Sequence, residues 1–546
     1  MASNKMILEA SAKHPQPGTT FQYGTAGFRM KADLLDSVVF RVGLLAALRS
    51  RKLKGQTIGV MITASHNPPV DNGVKLVDPM GEMLEEQGSW EPHATLLANA
   101  KTDQELLDTY NWLAQEVKAN TKARARVIFA RDTRASGPRL VECLVDALKA
   151  AGAEYIDYKI LTTPQLHYLV RCVNTKGTYY EYGEASEEGY YKKLGEAFTT
   201  AMTHRKTSGS VTVDCANGVG GPKLRELIKY LPRGAEGGVD IKVVNDDVVN
   251  PDILNSNCGA DYVKTRQRPP PSSKASRMDR CCSLDGDADR VVYYFVDEYN
   301  NFRLLDGDRI ATLAASFIRD LARGAGLLEK LNIGVVQTAY ANGASTKFVT
   351  ENLKLPVVCT STGVKHLHRA ATRFDVGVYF EANGHGTVIF SDRALRALNK
   401  CEPKSPAQHD ALTNLRALAD LINQAVGDAL SDMLLVEVIL AHKSFTVNEW
   451  LNTYIDLPNR LLRVEVPDRN KFTTLEGTAE RRLASPANVQ QLIDQLVGKY
   501  KQGRAFARAS GTEDAVRVYA EANTRVEADD LASKVAGIVL QAASTA

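Results

Sequence analysis

The sequence predicts an α/β fold of several domains, followed by a smaller α+β domain at the C-terminus. The chain has 546 residues, which at about 100–200 residues per domain is enough for three to five domains. Short and almost continuously apolar runs alternate with amphipathic helical patterns over most of the chain, as expected for sheets that helices cover on both faces. After about Leu461 this alternation changes, which indicates a separate domain.

The first α/β domain is predicted over residues 1–200. One apolar run begins at Thr57 and a second at Arg126, and a helical pattern over 138–151 follows the second run. The first run stops at "ASHN", and two prolines come directly after it. Because proline stops a helix and stiffens the turn, we expect Ser65 to be held rigidly and exposed where a strand ends.

Two further α/β domains are predicted over 201–304 and 305–456. The first begins with the apolar strand pattern of 210–218, and the second contains the pattern of 332–345. These runs also end in Gly, Asn, Asp or Ser, so their loops lie where α/β folds place ligands. The last domain, 457–546, combines the strand patterns "LLRVEV" and "RVYAEA" with two helical patterns.

The composition argues against several classes of protein. Basic and acidic residues nearly balance, at 67 and 64, and the net charge is only +3, so we expect no nucleic-acid partner. No run approaches the ~20 apolar residues of a membrane helix, and the first residues lack a signal-peptide core. Eight cysteines without a CxxC pair indicate buried thiols. We therefore expect a cytosolic protein without a membrane partner.

An acidic turn, "LDGDADR", lies between two apolar strand patterns. Asp285, Asp287 and Asp289 follow each other at every second position, and carboxylates this close repel one another unless a cation neutralises them. Hard oxygen ligands favour Mg2+ or Ca2+, and an EF-hand is excluded because its twelfth position would be Val296. A solvated acidic turn is the weaker alternative. Mg2+ is favoured, and Arg290 would contribute a positive charge to a bound phosphate.

A second loop, "RASGTEDAVR", has the composition of a phosphate site. Arg508 and Arg517 provide two guanidinium groups, and Ser510 and Thr512 provide two hydroxyls. Gly511 allows a tight turn whose backbone N–H can face a phosphate. The alternative is a hairpin with surface arginines. The loop is not a P-loop, because no lysine follows a GxxxxG frame.

Two weaker signals complete the pattern. "EANGHG" places Glu381, Asn383 and His385 on a turn between two strands, where they suit paired sugar hydroxyls, although a structural turn explains them equally well. "YGTAGFRM" places Arg29 after two glycines. Together with the serine loop, these segments fit phosphoryl transfer.

The motifs "TASHNP", "DGDADR", "EANGHG" and "RASGTEDAVR" resemble the four signature loops of the α-D-phosphohexomutase superfamily, in that order and along essentially the whole chain. The resemblance implies three α/β domains with mixed sheets plus a smaller C-terminal α+β domain around a central cleft. "RDTRASG" follows the serine loop, and Asn383 stands where the glucose and mannose enzymes commonly carry serine. Both features resemble the eukaryotic branch that acts on N-acetylglucosamine phosphates. Ala509 replaces a proline of many relatives.

This resemblance implies an enzyme that interconverts N-acetylglucosamine 6-phosphate and 1-phosphate for UDP-N-acetylglucosamine biosynthesis. A sugar 1,6-bisphosphate would be the intermediate or activator, and one Mg2+ would be held by phosphorylated Ser65 with the three aspartates. The remaining implied residues are His66, Lys75, Arg29 and Arg290 for phosphoryl transfer, with His66 and Lys75 as candidates for proton handling, and Glu381, Ala382, Asn383, His385, Arg508, Ala509, Ser510, Gly511, Thr512 and Arg517 for the phosphosugar.

Two alternatives stay open at this point. A haloacid-dehalogenase-like phosphatase would use Asp285 as its nucleophile and leave Ser65 without a role. A phosphosugar sensor would bind without catalysis, although a binding protein needs no nucleophile. The sequence does not indicate an oligomeric state.

Overall fold

The computed structural model of the protein describes residues 4–84, 90–234, 237–510 and 514–545. Among these residues, no helix combines the length and the apolarity needed to span a bilayer. The chain forms two compact units, the first made of Met1–Asp306, Asn383–Thr387 and Arg416–Val447, and the second of Gly307–Ala382, Val388–Leu415 and Asn448–Ala546.

The N-terminal part of the first unit is built around a five-stranded mixed sheet. Its elements are α1 (Asn4–Ser11), β1 (Phe28–Lys31), α2 (Asp36–Lys52), β2 (Thr57–Ile62), β3 (Asp71–Val77), α3 (Trp90–Ala98), α4 (Asp103–Glu116), β4 (Arg126–Arg131), α5 (Gly137–Ala150), β5 (Glu154–Ile160), α6 (Thr163–Thr175) and α7 (Glu187–Ala201). The strand order is β1-β3-β2-β4-β5, with β2 antiparallel to β3 and parallel to β4. Every residue of β2 is buried, and the strand contacts both α2 and α6, so its small and β-branched residues form core.

A second five-stranded mixed sheet follows in the same unit. Its elements are β6 (Ser210–Asp214), α8 (Gly220–Ile228), β7 (Asp240–Val244), α9 (Ala260–Arg266), β8 (Arg280–Leu284), β9 (Val291–Val296) and β10 (Phe302–Leu305). The order is β10-β9-β8-β6-β7. β8 and β9 pair in antiparallel fashion and are almost entirely buried. The acidic turn therefore connects two core strands.

A four-stranded sheet of order β12-β11-β13-β14 comes next in the chain. Its elements and the helices after it are α10 (Gly307–Gly324), β11 (Ile333–Thr338), α11 (Gly343–Lys347), β12 (Val357–Thr360), α12 (Val364–Ala371), β13 (Val376–Phe380), β14 (Gly386–Phe390), α13 (Asp392–Lys400), α14 (Pro406–Leu421), α15 (Ala429–Lys443) and α16 (Val447–Leu451). β11 is parallel to β12 and β13. α15 belongs to the first unit, where it contacts β9 and α7.

The C-terminal part of the second unit is a small antiparallel sheet covered by helices. Its elements are β15 (Asn459–Glu465), β16 (Thr473–Thr474), β17 (Leu483–Ser485), α17 (Val489–Val497), β18 (Arg504–Ala509), β19 (Ala515–Glu521) and α18 (Arg525–Thr545). β19 lies between β15 and β18. Val516 and Val518 of β19 pack with Val535 and Val539 of α18. The opposite face of this sheet carries the arginines of the predicted phosphate site.

These elements confirm the predicted fold class, with mixed sheets in α/β layers and a smaller α+β domain at the end of the chain. The four domain ranges stay a prediction.

Candidate active site

Ser65 lies in a strained loop just after β2. Its φ is +54°, a left-handed conformation that non-glycine residues seldom adopt and that clusters at functional sites. The prediction that Ser65 is exposed is wrong, because only 1% of its surface is accessible. Its Oγ donates a hydrogen bond to Asp285 Oδ2 at 2.6 Å. The loop is covered by the acidic turn, so the serine is rigid and inside the site.

A buried arginine holds the backbone of the serine loop. Arg134 uses its two Nη atoms to donate hydrogen bonds to four loop carbonyls, those of Ser65 (2.9 Å), Asn67 (2.9 Å), Pro68 (2.6 Å) and Asp71 (2.9 Å). Its Nε donates to Asp132 Oδ2 at 3.0 Å. Asn255 Nδ2 also donates to the Ser65 carbonyl, at 2.9 Å. Sequence reasoning assigned no site role to Arg134 or Asn255.

The three aspartates of the acidic turn converge as predicted from their spacing. One oxygen from each lies within 4.8 Å of the others, and all three residues are buried. Asp285 Oδ1 accepts the backbone N–H groups of Asp289 and Arg290. Thr163, which sequence reasoning missed, donates from Oγ1 to Asp287 Oδ2 at 2.6 Å and from its N–H to the Asp287 carbonyl at 3.1 Å.

The electrostatics of this cluster fit a divalent cation. Burial, followed by repulsion from Asp289 and Asp287, raises the pKa of Asp285 well above its usual value. Burial opposes ionisation of Asp289 as well, but His385, Lys75 and Arg290 together hold its pKa well below the usual range. Asp287 Oδ1 is buried and accepts no hydrogen bond among the described residues. A buried oxygen without a donor, in an all-oxygen site, suits Mg2+.

Four basic residues surround the serine and the carboxylates. Lys75 Nζ lies 3.6 Å from Asp287 Oδ2 and 3.6 Å from Asp289 Oδ2. Arg290 Nε lies 3.7 Å from Asp285 Oδ2 and 3.8 Å from Asp289 Oδ1.

The other two basic residues contact or adjoin the serine loop itself. Arg29 Nη1 donates to Asn67 Oδ1 at 3.5 Å, and burial together with Arg290 lowers the pKa of Arg29. Burial, with Arg290 and Arg29 nearby, lowers the pKa of His66 to about 2. The His66 imidazole is therefore neutral near neutral pH.

Part of the predicted sugar loop joins this cluster. His385 Nδ1 lies 3.2 Å from Asp289 Oδ1, and the His385 N–H donates to Asn383 Oδ1 at 2.9 Å. Gly384 has a φ of +87°, and a Cβ there would lie 2.0 Å from the Val291 carbonyl oxygen, so only glycine fits. Glu381 and Ala382 are half-buried and belong to the second unit.

The predicted phosphate site lies on the second unit. Arg508 and Arg517 are directly opposite each other in β18 and β19, so their side chains leave the same face of the sheet. Ser510 is buried, and its N–H donates to the Ala515 carbonyl at 2.8 Å. Ala509 is half-buried at the end of β18. Two further predicted residues, Gly511 and Thr512, lie outside the described residues.

Sequence profiles of known families match most of the chain. The matches are domain III of phosphoacetylglucosamine mutase AMG1 at 306–445, domain II of the same protein at 173–292, the C-terminal domain of phosphoglucomutase/phosphomannomutase at 461–538, and α/β/α domain I of phosphoglucomutase/phosphomannomutase at 43–89 and 97–180.

Relatives of known identity resemble the chain over almost its full length. The phosphoacetylglucosamine mutase of Sus scrofa is 51% identical, over 98% of this chain and 97% of the relative. Aspergillus fumigatus N-acetylphosphoglucosamine mutase, in a complex with GlcNAc-6P and magnesium, is 66% identical with a TM-score of 0.96, over 100% of this chain and 99% of that one. A serine-to-alanine variant of that enzyme, in complex with glucose 1,6-bisphosphate, is 66% identical to this chain with a TM-score of 0.94, over 99% of each chain.

Proposed function

Because the chain belongs to the phosphoacetylglucosamine mutase family, we propose that it interconverts N-acetylglucosamine 6-phosphate and N-acetylglucosamine 1-phosphate through a phosphoserine at Ser65. The observation that carries this proposal is the 2.6 Å hydrogen bond between Ser65 Oγ and Asp285. It places the proposed phosphate-carrying hydroxyl at the buried cluster that Asp285 forms with Asp287 and Asp289. A phosphate on that oxygen would lie at the same carboxylates.

The three aspartates would hold one Mg2+ together with the phosphate of Ser65. The all-oxygen donor set and the unpaired Asp287 Oδ1 support this assignment. When bound, the ion supplies positive charge that offsets both the carboxylates and the phosphoryl oxygens, and so favours phosphoryl transfer.

The phosphoryl group would then pass between Ser65 and the two ends of the sugar. In the forward direction the sugar O1 attacks phosphorus, the bond from phosphorus to Ser65 Oγ breaks, and a 1,6-bisphosphate forms. After the intermediate has reversed its orientation, Ser65 Oγ would attack the 6-phosphorus. The bond from that phosphorus to the sugar O6 would break, O6 would take up a proton, and N-acetylglucosamine 1-phosphate would leave. Arg290 and Arg29 lie at the serine loop and the carboxylates, where positive charge stabilises the transferred group.

A proton has to leave the attacking hydroxyl in each transfer. His66, whose pKa is lowered to about 2, is a poor proton acceptor near neutral pH. This argues against His66 and leaves Lys75 as the other candidate, with its Nζ 3.6 Å from Asp287 Oδ2 and from Asp289 Oδ2.

The substrate would be held at two further places. The hydroxyls of the sugar would bind Glu381, Asn383 and His385, and Ala382 belongs to the same loop. The phosphate that does not react would bind the predicted phosphate site, to which we assign Arg508, Ala509, Ser510, Gly511, Thr512 and Arg517. Forked guanidinium groups suit this second task because they bind phosphate oxygens in pairs.

The product would supply UDP-N-acetylglucosamine biosynthesis, and we place the enzyme in the cytosol. All eight cysteines are described, and all are free thiols, as expected in a reducing compartment.

Ser65→Ala tests the proposed function. We expect it to abolish the conversion of N-acetylglucosamine 6-phosphate in a coupled assay. Peptide mapping should find a phosphoryl group on Ser65 of the active wild-type enzyme. Ser208→Ala, which changes an exposed serine outside the site, should keep both activity and the modification. Release of inorganic phosphate by Ser65→Ala at the wild-type rate would instead support an aspartate-based phosphatase.

A further inference from the structure

Arg508, the first arginine of the predicted phosphate site, is held on one edge by two side chains. Its Nε donates a hydrogen bond to the Tyr340 hydroxyl at 2.9 Å and lies 3.7 Å from Glu480 Oε2. Its Nη1 points elsewhere and donates to the carbonyl of Ala509 at 3.3 Å. The two contacts therefore engage the Nε side of the guanidinium rather than the fork of its Nη atoms.

Glu480 is itself fixed by the fold. Its Oε2 accepts the backbone N–H of Thr362 at 2.9 Å, in the turn between β12 and α12, and its side chain is 23% exposed. Ala479 and Glu480 have φ values of +53° and +61°. Two consecutive non-glycine residues in the left-handed region are costly, so the surrounding structure must specify this conformation. The segment presents one carboxylate to Arg508.

We propose that Glu480 is a positioning residue of the phosphate site, which orients Arg508 so that its Nη fork faces the phosphate of the substrate. The inference rests on the proposed function, because that function makes Arg508 a phosphate ligand. An arginine binds phosphate well only when its planar fork is presented in the correct plane. A carboxylate on the Nε edge restricts that plane, as outer residues do for other ligand-binding side chains.

The contact with Thr362 also ties this carboxylate to the carboxyl end of a parallel strand. β12 ends at Thr360, and ligands of α/β sheets bind at that edge. Glu480 therefore connects the phosphate-binding arginine to the turn of residues 361–363 by one side chain. Loss of its charge should loosen Arg508 without removing the hydrogen bond to Thr362.

Glu480→Gln separates these two contacts, because glutamine can still accept the Thr362 N–H but carries no charge. We expect the KM for N-acetylglucosamine 6-phosphate to rise about 10-fold, with kcat within about twofold and the melting temperature unchanged. The dissociation constant of inorganic phosphate, measured by calorimetry, should rise by the same factor. Glu480→Ala should raise both further.

The matched control is Glu476→Gln, an exposed residue of the same connection between β16 and β17, which should behave as wild type. Unchanged KM and phosphate affinity in Glu480→Gln, or tighter phosphate binding, would overturn the inference. So would a lower melting temperature with phosphate affinity retained, because that result indicates a purely structural role. Wild-type protein that neither converts the sugar phosphate nor binds phosphate would instead contradict the proposed function itself.

Discussion

Replacing Arg134 should separate the stability of the first domain from the positioning of Ser65. Arg134 is 1% exposed and is the buried partner of Asp132. Arg134→Met keeps much of the volume but leaves the Asp132 carboxylate without its cation. Breaking a buried ion pair by removing one partner costs roughly 3–5 kcal/mol. The four carbonyls of the serine loop lose their shared donor at the same time.

The loss of those carbonyl contacts should act on catalysis separately from stability. A displacement of a reacting group by about 1 Å can reduce the rate by about 100-fold, and we expect a loss of that order in kcat for Arg134→Met. Denaturant unfolding and steady-state kinetics on the same preparation measure the two effects.

The double variant Arg134→Met, Asp132→Asn distinguishes the two causes. Removing the unpaired charge should recover much of the lost stability, because the introduced amide can still accept the Thr63 hydroxyl that now bonds Asp132 at 2.7 Å. It should not recover kcat, because the loop carbonyls still lack the arginine that bridges all four of them. Recovery of kcat together with stability would refute the positioning role of Arg134. An unchanged free energy of unfolding in Arg134→Met would refute the expected loss of roughly 3–5 kcal/mol.

Two further predictions concern groups behind the site. Thr163→Val removes the hydroxyl that donates to Asp287 and should weaken Mg2+ binding by about 10-fold, measured by Mn2+ titration in electron paramagnetic resonance. Thr163→Ser should bind the ion as wild type does, and wild-type affinity in the valine variant would contradict this role of Thr163. Burial raises the pKa of Asp428 to about 6. Between the ordinary aspartate value of about 4 and this pKa, the folded protein keeps a proton that the unfolded chain has lost, so stability falls as the pH rises through this range. Asp428→Asn should therefore gain about 2 kcal/mol over wild type in the free energy of unfolding between pH 4.5 and 7.5, whereas Asp420→Asn, an exposed control, should show no such gain; a pH-independent difference would contradict the assignment.

Local patterns predicted the convergence of the three aspartates better than the contacts that hold the site together. Asp285, Asp287 and Asp289 converge because they lie on one turn between two paired strands, and the spacing alone indicates this. Thr163 and Arg134 reach the site across 124 and 69 positions of the chain. No residue beside Thr163 marks it as functional, and "RDTRASG" is informative only through its order along the chain, which assigns Arg134 no role. Such contacts depend on how β4 and α6 pack beside β2, which hydrophobic periodicity does not specify.

The wrong prediction for Ser65 has the same origin. Two prolines correctly indicate a stiff loop without a helix, but they say nothing about what lies above it. Gly286 packs so closely that a Cβ there would lie 2.5 Å from the Ser65 carbonyl oxygen. The acidic turn therefore covers the serine, and burial follows from a contact between two segments far apart in the sequence that no local pattern records.

The way in which Ser65 is held fits an enzyme whose nucleophile must exist in two chemical states. Arg134 and Asn255 fix the loop through the Ser65 carbonyl, and Thr63 fixes it through the Ser65 N–H at 3.0 Å. None of these contacts uses Oγ, whose hydrogen bond to Asp285 is the one that phosphorylation would replace in the proposed mechanism. In the proposed mechanism the backbone could therefore stay in its left-handed conformation while the side chain gains or loses a phosphoryl group. The site would then not be rebuilt at each transfer, and the oxygen would return to the same carboxylates.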